Sequence, residues 1–347
     1  MKRHLLFLAA LLIVNLAASA QKKFSVYAVG FYNQENLFDT CHDEGKKDYE
    51  YLPNKGWNGM KYTNKLRNMS KALADMGTDV LPNVGCAFIG LSEVENHKVL
   101  DALVDQAPLK ARNMKYVHIE GPDRRGIDCA LLYNPSLFSV KNVKLLPYVQ
   151  ELAKDSAFFT RGFLTVRGEM AGDDVAVIVC HWPSRFSGPF YRESAARQVK
   201  VIKDSLLNVN QEMKIFVMGD MNDDPVNKSM HVYLQAKPEI SQVGAGDMYN
   251  PWYNVLAKEG KGTLFYSGNW NLFDQIVITP NLINKDAKKK DYSSLKYWKS
   301  HIFRRDYLIQ QEGQYKGAPL RTTAGGRWLN GYSDHLPVVM YLVKEKK

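Results

Sequence analysis

The sequence predicts a mixed fold of α/β or α+β type, a sandwich of strands with helices on the outside. Three observations support this: strand-like apolar runs recur along the chain, helix-periodic segments lie between several of them, and 347 residues at 45% hydrophobic content suffice for a large core. The runs cover residues 24–32, 87–91, 130–133, 162–168, 175–180, 215–218, 275–279 and 338–343. Most are short, rich in apolar residues and bounded by polar or turn-forming residues. Residues 63–76 carry Leu66, Met69, Leu73 and Met76 at helical spacing, and 194–207 carry Ala195, Val199, Ile202 and Leu206 likewise. No internal repeat, low-complexity linker or sharp change of composition follows the N-terminus, so residues 21–347 are expected to form one domain.

Residues 1–20 read as a signal peptide rather than part of the fold. Lys2 and Arg3 precede an almost continuous apolar stretch over 5–16, and Ala18-Ser19-Ala20 is a small-residue cleavage site. The stretch is short for a bilayer span, and polar Gln21-Lys22-Lys23 follows at once. Gln21, where a lipid anchor needs Cys, leaves the lipid-anchored variant unsupported. The expectation is an exported, periplasmic or secreted monomer with no stable membrane insertion. A formal charge of +10, which includes Lys2 and Arg3, favours anionic partners such as nucleic acid, phosphate esters or acidic headgroups without choosing among them.

Cys41, Cys86, Cys129 and Cys180 have no metal-ligand spacing and are too few to form a disulfide framework in a core of this size. Cys129 and Cys180 lie in apolar runs and are expected to be small buried hydrophobes. Residues 281–328 are the least regular and most basic, with Lys288-Lys289-Lys290 and Arg304-Arg305; a solvated face is expected there.

Chemistry-bearing residues collect at the edges of the apolar runs. Asn33 and Glu35 follow the first; two apart, they would face one side if the strand continued. Glu93 leaves the second. His181 ends the fifth, where Pro183 forces the chain out of the ladder. Asp220 and Asn222 end the sixth, again two apart. Asp274 opens the seventh, and Asp334-His335 precedes the last. Singly, Asp, Asn and Gly at strand ends are ordinary turn chemistry. Jointly, oxygen ligands with two histidines and no cysteine cluster suit a hard cation such as magnesium and a phosphate. Strand ends that converge are where open sheets place ligands.

At Gly219-Asp220-Met221-Asn222 and Ser333-Asp334-His335-Leu336-Pro337 the chain resembles the endonuclease/exonuclease/phosphatase superfamily. His181-Trp182-Pro183-Ser184-Arg185 resembles a bacterial, often exported branch of it. The resemblance implies a four-layer sandwich, two mixed β-sheets face to face with helices outside. It implies Glu93 as the main metal-ligand acid, with Glu35 and Asp334 beside it and Asn33 completing the metal and phosphate pocket. His335 would contact the scissile phosphate with Asp274 as its carboxylate partner, while Asp220 and Asn222 would hold the attacking water and phosphoryl oxygens. His181 matches a position that is His in deoxyribonucleases and phosphatases but Asn in abasic-site endonucleases. Whether Asp220 or His335 moves the proton stays open.

Arg161 and Arg185 are further candidates for binding substrate phosphate, and Asp128 for orienting a ligand residue. Trp182 and Trp270 are candidates for stacking on a base, against the commoner fate of packing. The leading expectation is a magnesium-dependent phosphoesterase, with manganese or calcium as alternative ions, acting as a nuclease of low sequence specificity. A phosphatase or phospholipase for small or lipid phosphoesters is the alternative, with Tyr249-Asn250-Pro251-Trp252-Tyr253 as its candidate aromatic membrane tip. A binding protein that has lost activity is a third reading, opposed by the intact acid and histidine set.

Overall fold

The computed structural model describes residues 23–152 and 158–346, so the expected signal peptide lies outside the described residues. The first sheet is built from β1 (Phe24–Leu37), β2 (Phe88–Val94), β3 (Lys115–His118), β4 (Asp128–Tyr133), β14 (Lys296–Ile302) and β17 (Val338–Glu345), in the order β14-β17-β1-β2-β4-β3. The second contains β5 (Phe138–Leu146), β6 (Phe163–Met170), β7 (Asp173–His181), β8 (Lys214–Asp220), β9 (Ala236–Lys237), β10 (Met248–Tyr249) and β13 (Asp274–Ile278), in the order β5-β6-β7-β8-β13-β10-β9. Two short hairpins, β11 (Leu264–Tyr266) with β12 (Asn269–Asn271) and β15 (Thr323–Ala324) with β16 (Arg327–Trp328), stand apart from both.

Each sheet has a central parallel pair joined through a helical crossover. β1 and β2 are linked through α1 (Gly59–Asp75), and β7 and β8 through α4 (Pro189–Val209). Shorter helices α2 (His97–Val104), α3 (Ala107–Ala111) and α5 (Tyr253–Ala257), with a π-helical turn at Ser229–Tyr233, complete the described helices longer than one turn of 3-10 type. The parallel crossovers set the polarity of the site. β1, β2, β7 and β8 all finish at the same end, where their antiparallel partners β17, β4 and β13 begin.

Side-chain alternation makes the four layers. Val29, Phe31, Phe88, Val177, Val179, Phe216, Met218 and Met340 form the core between the sheets. Ala28, Tyr32, Leu91 and Tyr341 turn outward onto Leu66, Met69 and Leu73 of α1 and Leu100 of α2. On the opposite face Ala176, Ile178, Ile215 and Val217 pack on Ala195 and Val199 of α4. Strands buried on both faces are near-continuously apolar, which is why these were the legible ones. β3, β5 and β14 carry polar, half-exposed residues and went unmarked in the sequence.

Cys129 and Cys180 are buried, and all four cysteines are free. Tyr249–Tyr253 is not an exposed tip: Trp252 is wholly buried, and its indole N–H donates to the carbonyl of Ile276 at 2.9 Å. The basic segment is divided by the fold. Lys214 and Lys296 both donate to the carbonyl of Asn281, at 3.2 and 2.7 Å, so its start is anchored where β8 begins. Its later part returns past β14 to the opposite end, where Thr322 meets Glu35. It is therefore not only a solvated face. No helix among the described residues is long and apolar enough to cross a membrane.

Candidate active site

At the common strand end, sheet register brings the polar residues together. Asp220 pairs with Asp274 across β8 and β13 and with His181 across β7 and β8. Gly219 makes this approach feasible, because a Cβ there would run into the carbonyl of Cys180. Asn33 crosses from the first sheet and donates from Nδ2 to Asp220 Oδ2 at 3.0 Å. His181 Nε2 lies 3.7 Å from Asp220 Oδ2 and 3.8 Å from Glu93 Oε1, while His335 Nε2 lies 3.8 Å from Asp220 Oδ2. Three steps under 4 Å thus connect His335 to Glu93, and both belong to one site.

The expectation that Asn33/Glu35 and Asp220/Asn222 share faces by strand alternation is corrected. Glu35, Asn36, Glu93 and Asn222 all have left-handed backbones, with φ of 44°, 58°, 59° and 49°. The β1–β2 register slips between Asn33 and Leu37, as at a bulge that re-aims side chains. Side-chain turns hold these bends: Asn33 Oδ1 accepts from the Glu35 amide at 2.8 Å, and Asp220 Oδ1 from the Asn222 amide at 2.9 Å. Glu93 Oε2 accepts from the Asn36 amide at 2.9 Å, tying the two sheet-one turns together. Non-glycine residues in this region cost about 1–3 kcal/mol each, and such strain clusters at functional sites.

His335 and Asp274 form a buried charge-assisted pair, Nδ1 to Oδ2 at 2.7 Å. Burial alone would lower the imidazole, but Asp274, Asp220 and Asp334 together hold it well above its ordinary value. With Nδ1–H donated to Asp274, Nε2–H is left to face the site. Burial raises Asp220, aided by Asp274 and opposed by His335. His181 is driven well below its usual value by burial and by Arg161, Arg125 and His335, so it is neutral near pH 7. The arrangement offers a donor, a buried carboxylate of raised basicity and a neutral imidazole around one space. That is the equipment for in-line attack of water on a phosphoester.

Arg161 is braced within the fold. Its side chain is 10% exposed, and its fork is committed to Asp123 Oδ2 at 3.0 Å and the carbonyl of Trp182 at 2.9 Å. Trp182 is buried and cannot stack on an incoming base, whereas Trp270 packs against Phe265 with the rings tilted by 60°. Asp128 does orient a histidine, His118 at 3.1 Å, rather than one of the site residues. Arg185 lies over the Phe273 ring at 4.5 Å and donates to the Asn222 carbonyl at 3.2 Å and to Asp224 at 2.8 Å. It braces the Asn222 turn while remaining partly exposed.

Sequence reasoning missed Arg321 and Lys65. Arg321 donates from Nε to Glu35 Oε1 at 3.3 Å and from Nη2 to Asp334 Oδ2 at 2.9 Å. No periodicity marks it, because it sits in the irregular segment before β15. Lys65 is fully buried and donates to Thr322 Oγ1 at 2.6 Å and the Tyr332 carbonyl at 2.5 Å. Desolvation lowers it to about 8, against the pull of Glu35, Asp334 and Glu93. Its signal was present: Lys65 falls on the buried stripe of α1, four residues before Met69.

Among the described residues no group of three or more His, Cys, Asp or Glu side chains is gathered as a metal cage. The donor set nonetheless fits a hard divalent ion at one acid. Glu93 is 14% exposed, and among the described residues its one neighbour within ion-pair range is His181, which is held neutral. Its carboxylate Oε1 is a hard oxygen donor of the kind magnesium takes. Glu35 and Asp334 instead share Arg321.

No curated protein matches the sequence. Among solved structures, an endonuclease/exonuclease/phosphatase family protein from Bacteroides thetaiotaomicron is 14% identical, with TM-score 0.54 over 93% of this chain and 97% of that one. A mannosyl-6-phosphatase from the same organism is 14% identical, TM-score 0.53, over 91% and 99%. D. rerio TDP2 complexed with a single-strand DNA product is 11% identical, TM-score 0.53, over 92% and 99%. At these identities the likeness is one of fold. A family model described as the endonuclease/exonuclease/phosphatase family matches residues 28–344. Spanning both sheets and every strand end that builds the site, this match shows that the chain belongs to the endonuclease/exonuclease/phosphatase family.

Proposed function

We propose that the chain is an exported, magnesium-dependent phosphoesterase that cleaves phosphodiester bonds, acting as a nuclease of low sequence specificity. The observation that carries the chemistry is the opposition of His335 and Asp220 at 3.8 Å, one imidazole held protonated and one carboxylate held basic. Asp220 accepts the proton of the attacking water. Asn33 Nδ2 and the Asn222 amide fix the orientation of Asp220, so its approach needs no reorganisation. His335 donates from Nε2 to a phosphoryl oxygen as negative charge builds, and Asp274 keeps it charged. A donor of this kind contributes roughly 10²–10³ in rate, and a placed base about 10²–10⁴. Glu93 would hold the divalent ion, which supplies charge neutralisation when bound. Neutral His181 stands between Glu93 and Asp220 and adds no positive charge near the ion.

Two cavities flank this centre and favour a substrate that continues on both sides of the phosphate. One, of about 360 Å³, reaches from Glu35 past Tyr51, Trp57, Lys55, Lys61 and Trp328. The other, of about 710 Å³, reaches from Asp334 past Phe265, Tyr266 and Tyr315. Aromatic faces with cations suit bases and backbone phosphates. The second cavity also contains Gln310 and Gln314, which favours a second reading, a phosphatase for a small hydroxyl-rich phosphoester. The run Lys288–Lys290, which follows Asn281 near the start of β8, lends the nuclease reading no support.

The test is turnover of plasmid DNA, RNA, bis-p-nitrophenyl phosphate and hexose phosphates by the purified protein, with and without magnesium. Nicking of plasmid and cleavage of the diester are expected. Turnover of hexose phosphate alone would move the assignment to the second reading, and survival of every substrate would end the enzyme reading.

A further inference from the structure

We infer that Arg321 is a built-in cation that replaces a second divalent ion between Glu35 and Asp334, restricting the site to one ion on Glu93. The inference rests on the metal-dependent reading above and deepens it. One guanidinium spans both acids, meeting Glu35 Oε1 at 3.3 Å and Asp334 Oδ2 at 2.9 Å. Two carboxylates this close repel each other, and a cation between them is what makes the arrangement stable. Arginine is suited to that task, since it does not lose its proton and its fork reaches two acids at once.

The surrounding chain fixes Arg321 in place. The second oxygen of Glu35 accepts from the adjacent Thr322 amide at 2.6 Å, so Glu35 is tied twice to the segment that carries Arg321. Lys65 pins the same segment from beneath through Thr322 Oγ1 at 2.6 Å and the Tyr332 carbonyl at 2.5 Å. Expelling Arg321 with a second ion would break two ion pairs, one of them to an acid only 8% exposed. Among the described residues no Lys or Arg lies within ion-pair range of Glu93, whose Oε1 is 3.8 Å from His181 Nε2. The three acids are thus divided by charge, two satisfied within the chain and one open to a metal.

Arg321 also lines both flanking cavities, with its side chain 40% exposed. It compensates the acids from one edge and stays accessible from the other.

The test is the stoichiometry of manganese binding, measured by calorimetry and by electron paramagnetic resonance of free ion, in the purified protein. The wild type should bind one ion per chain. Arg321→Gln, which keeps side-chain bulk and removes the charge, should bind two. Adding Glu35→Gln to that variant should return it to one. A thermal melt of each variant checks folding, and Arg321→Lys, which keeps the charge, should remain at one ion. Two ions in the wild type, or one in Arg321→Gln, would overturn the role of Arg321 and leave the hydrolase reading intact. No bound ion in any protein would overturn both.

Discussion

Replacing Asp274 by Asn isolates the electrostatic part of the His335 pair. The carboxylate is wholly buried and meets Nδ1 at 2.7 Å, and its other oxygen has no hydrogen-bond partner among the described residues. Asn is nearly isosteric, and its carbonyl can still accept from Nδ1–H, so the ring keeps its orientation and loses the charge. A hydrogen bond to a charged partner is worth about 1.5–3 kcal/mol and a neutral one about 0.5–1.5. The difference, about 1 to 1.5 kcal/mol, corresponds to roughly one pH unit. Direction follows from the shift. His335 is raised in the fold, so its protonated form is present at low pH and lost as pH rises through that raised value. The alkaline limb of the kcat/KM profile on bis-p-nitrophenyl phosphate should therefore move acidward by about one unit in Asp274→Asn. Stability should follow the same sign. The pair's contribution is complete below the unfolded histidine value and fades as pH climbs through the folded one, so the gap in melting temperature between wild type and variant narrows in alkali. An alkaline limb that does not move, in a variant with native circular dichroism, would refute a charged His335 held by Asp274.

His335→Ala and Asp220→Asn should each lower kcat by about 10²–10⁴ while leaving the far-ultraviolet spectrum unchanged, measured by diester turnover. Lys65→Met removes the buried donor shared by Thr322 Oγ1 and the Tyr332 carbonyl, the carbonyl keeping only the Thr322 hydroxyl at 3.2 Å, and urea unfolding should register a loss of about 1–3 kcal/mol. Arg161→Leu should be more harmful than loss of a surface charge, because Asp123 is left buried without its partner; a stability loss of about 3–5 kcal/mol is expected on thermal unfolding. Of the four thiols, only exposed Cys41 should react with a disulfide reagent in the native protein. Cys86, Cys129 and Cys180 are buried, and desolvation raises all three, Cys180 to about 12.

Much of the site was legible because each residue lies next to a strongly patterned strand. Glu93, His181, Asp220 and Asp274 could be read from the apolar runs beside them, and the runs exist because both faces of these strands are buried. The errors arise where geometry departs from the regular strand. Asn33 and Glu35 converge through a left-handed turn rather than through pleat alternation. The partner of Arg161 is not legible in the sequence, which places Asp123 38 positions away, yet the fold makes them a buried pair. Arg321 was invisible, since its partner Glu35 lies 286 positions distant and its own segment has no period.

The sequence by itself determined the inventory: which strands are buried on both faces, which acids and histidines stand at their edges, and that those residue types suit a phosphate and a hard cation. These are local facts, written in side-chain alternation and turn chemistry within a few residues. The tertiary structure alone decided how charge is distributed among them. Sheet register set Asp274 and His181 on either side of Asp220, and Arg321 came to Glu35 and Asp334 from a segment remote in sequence. The same packing anchored the start of the basic segment at the far end of β8. Burial and opposing charge fix protonation, and both depend on neighbours that only the folded chain supplies.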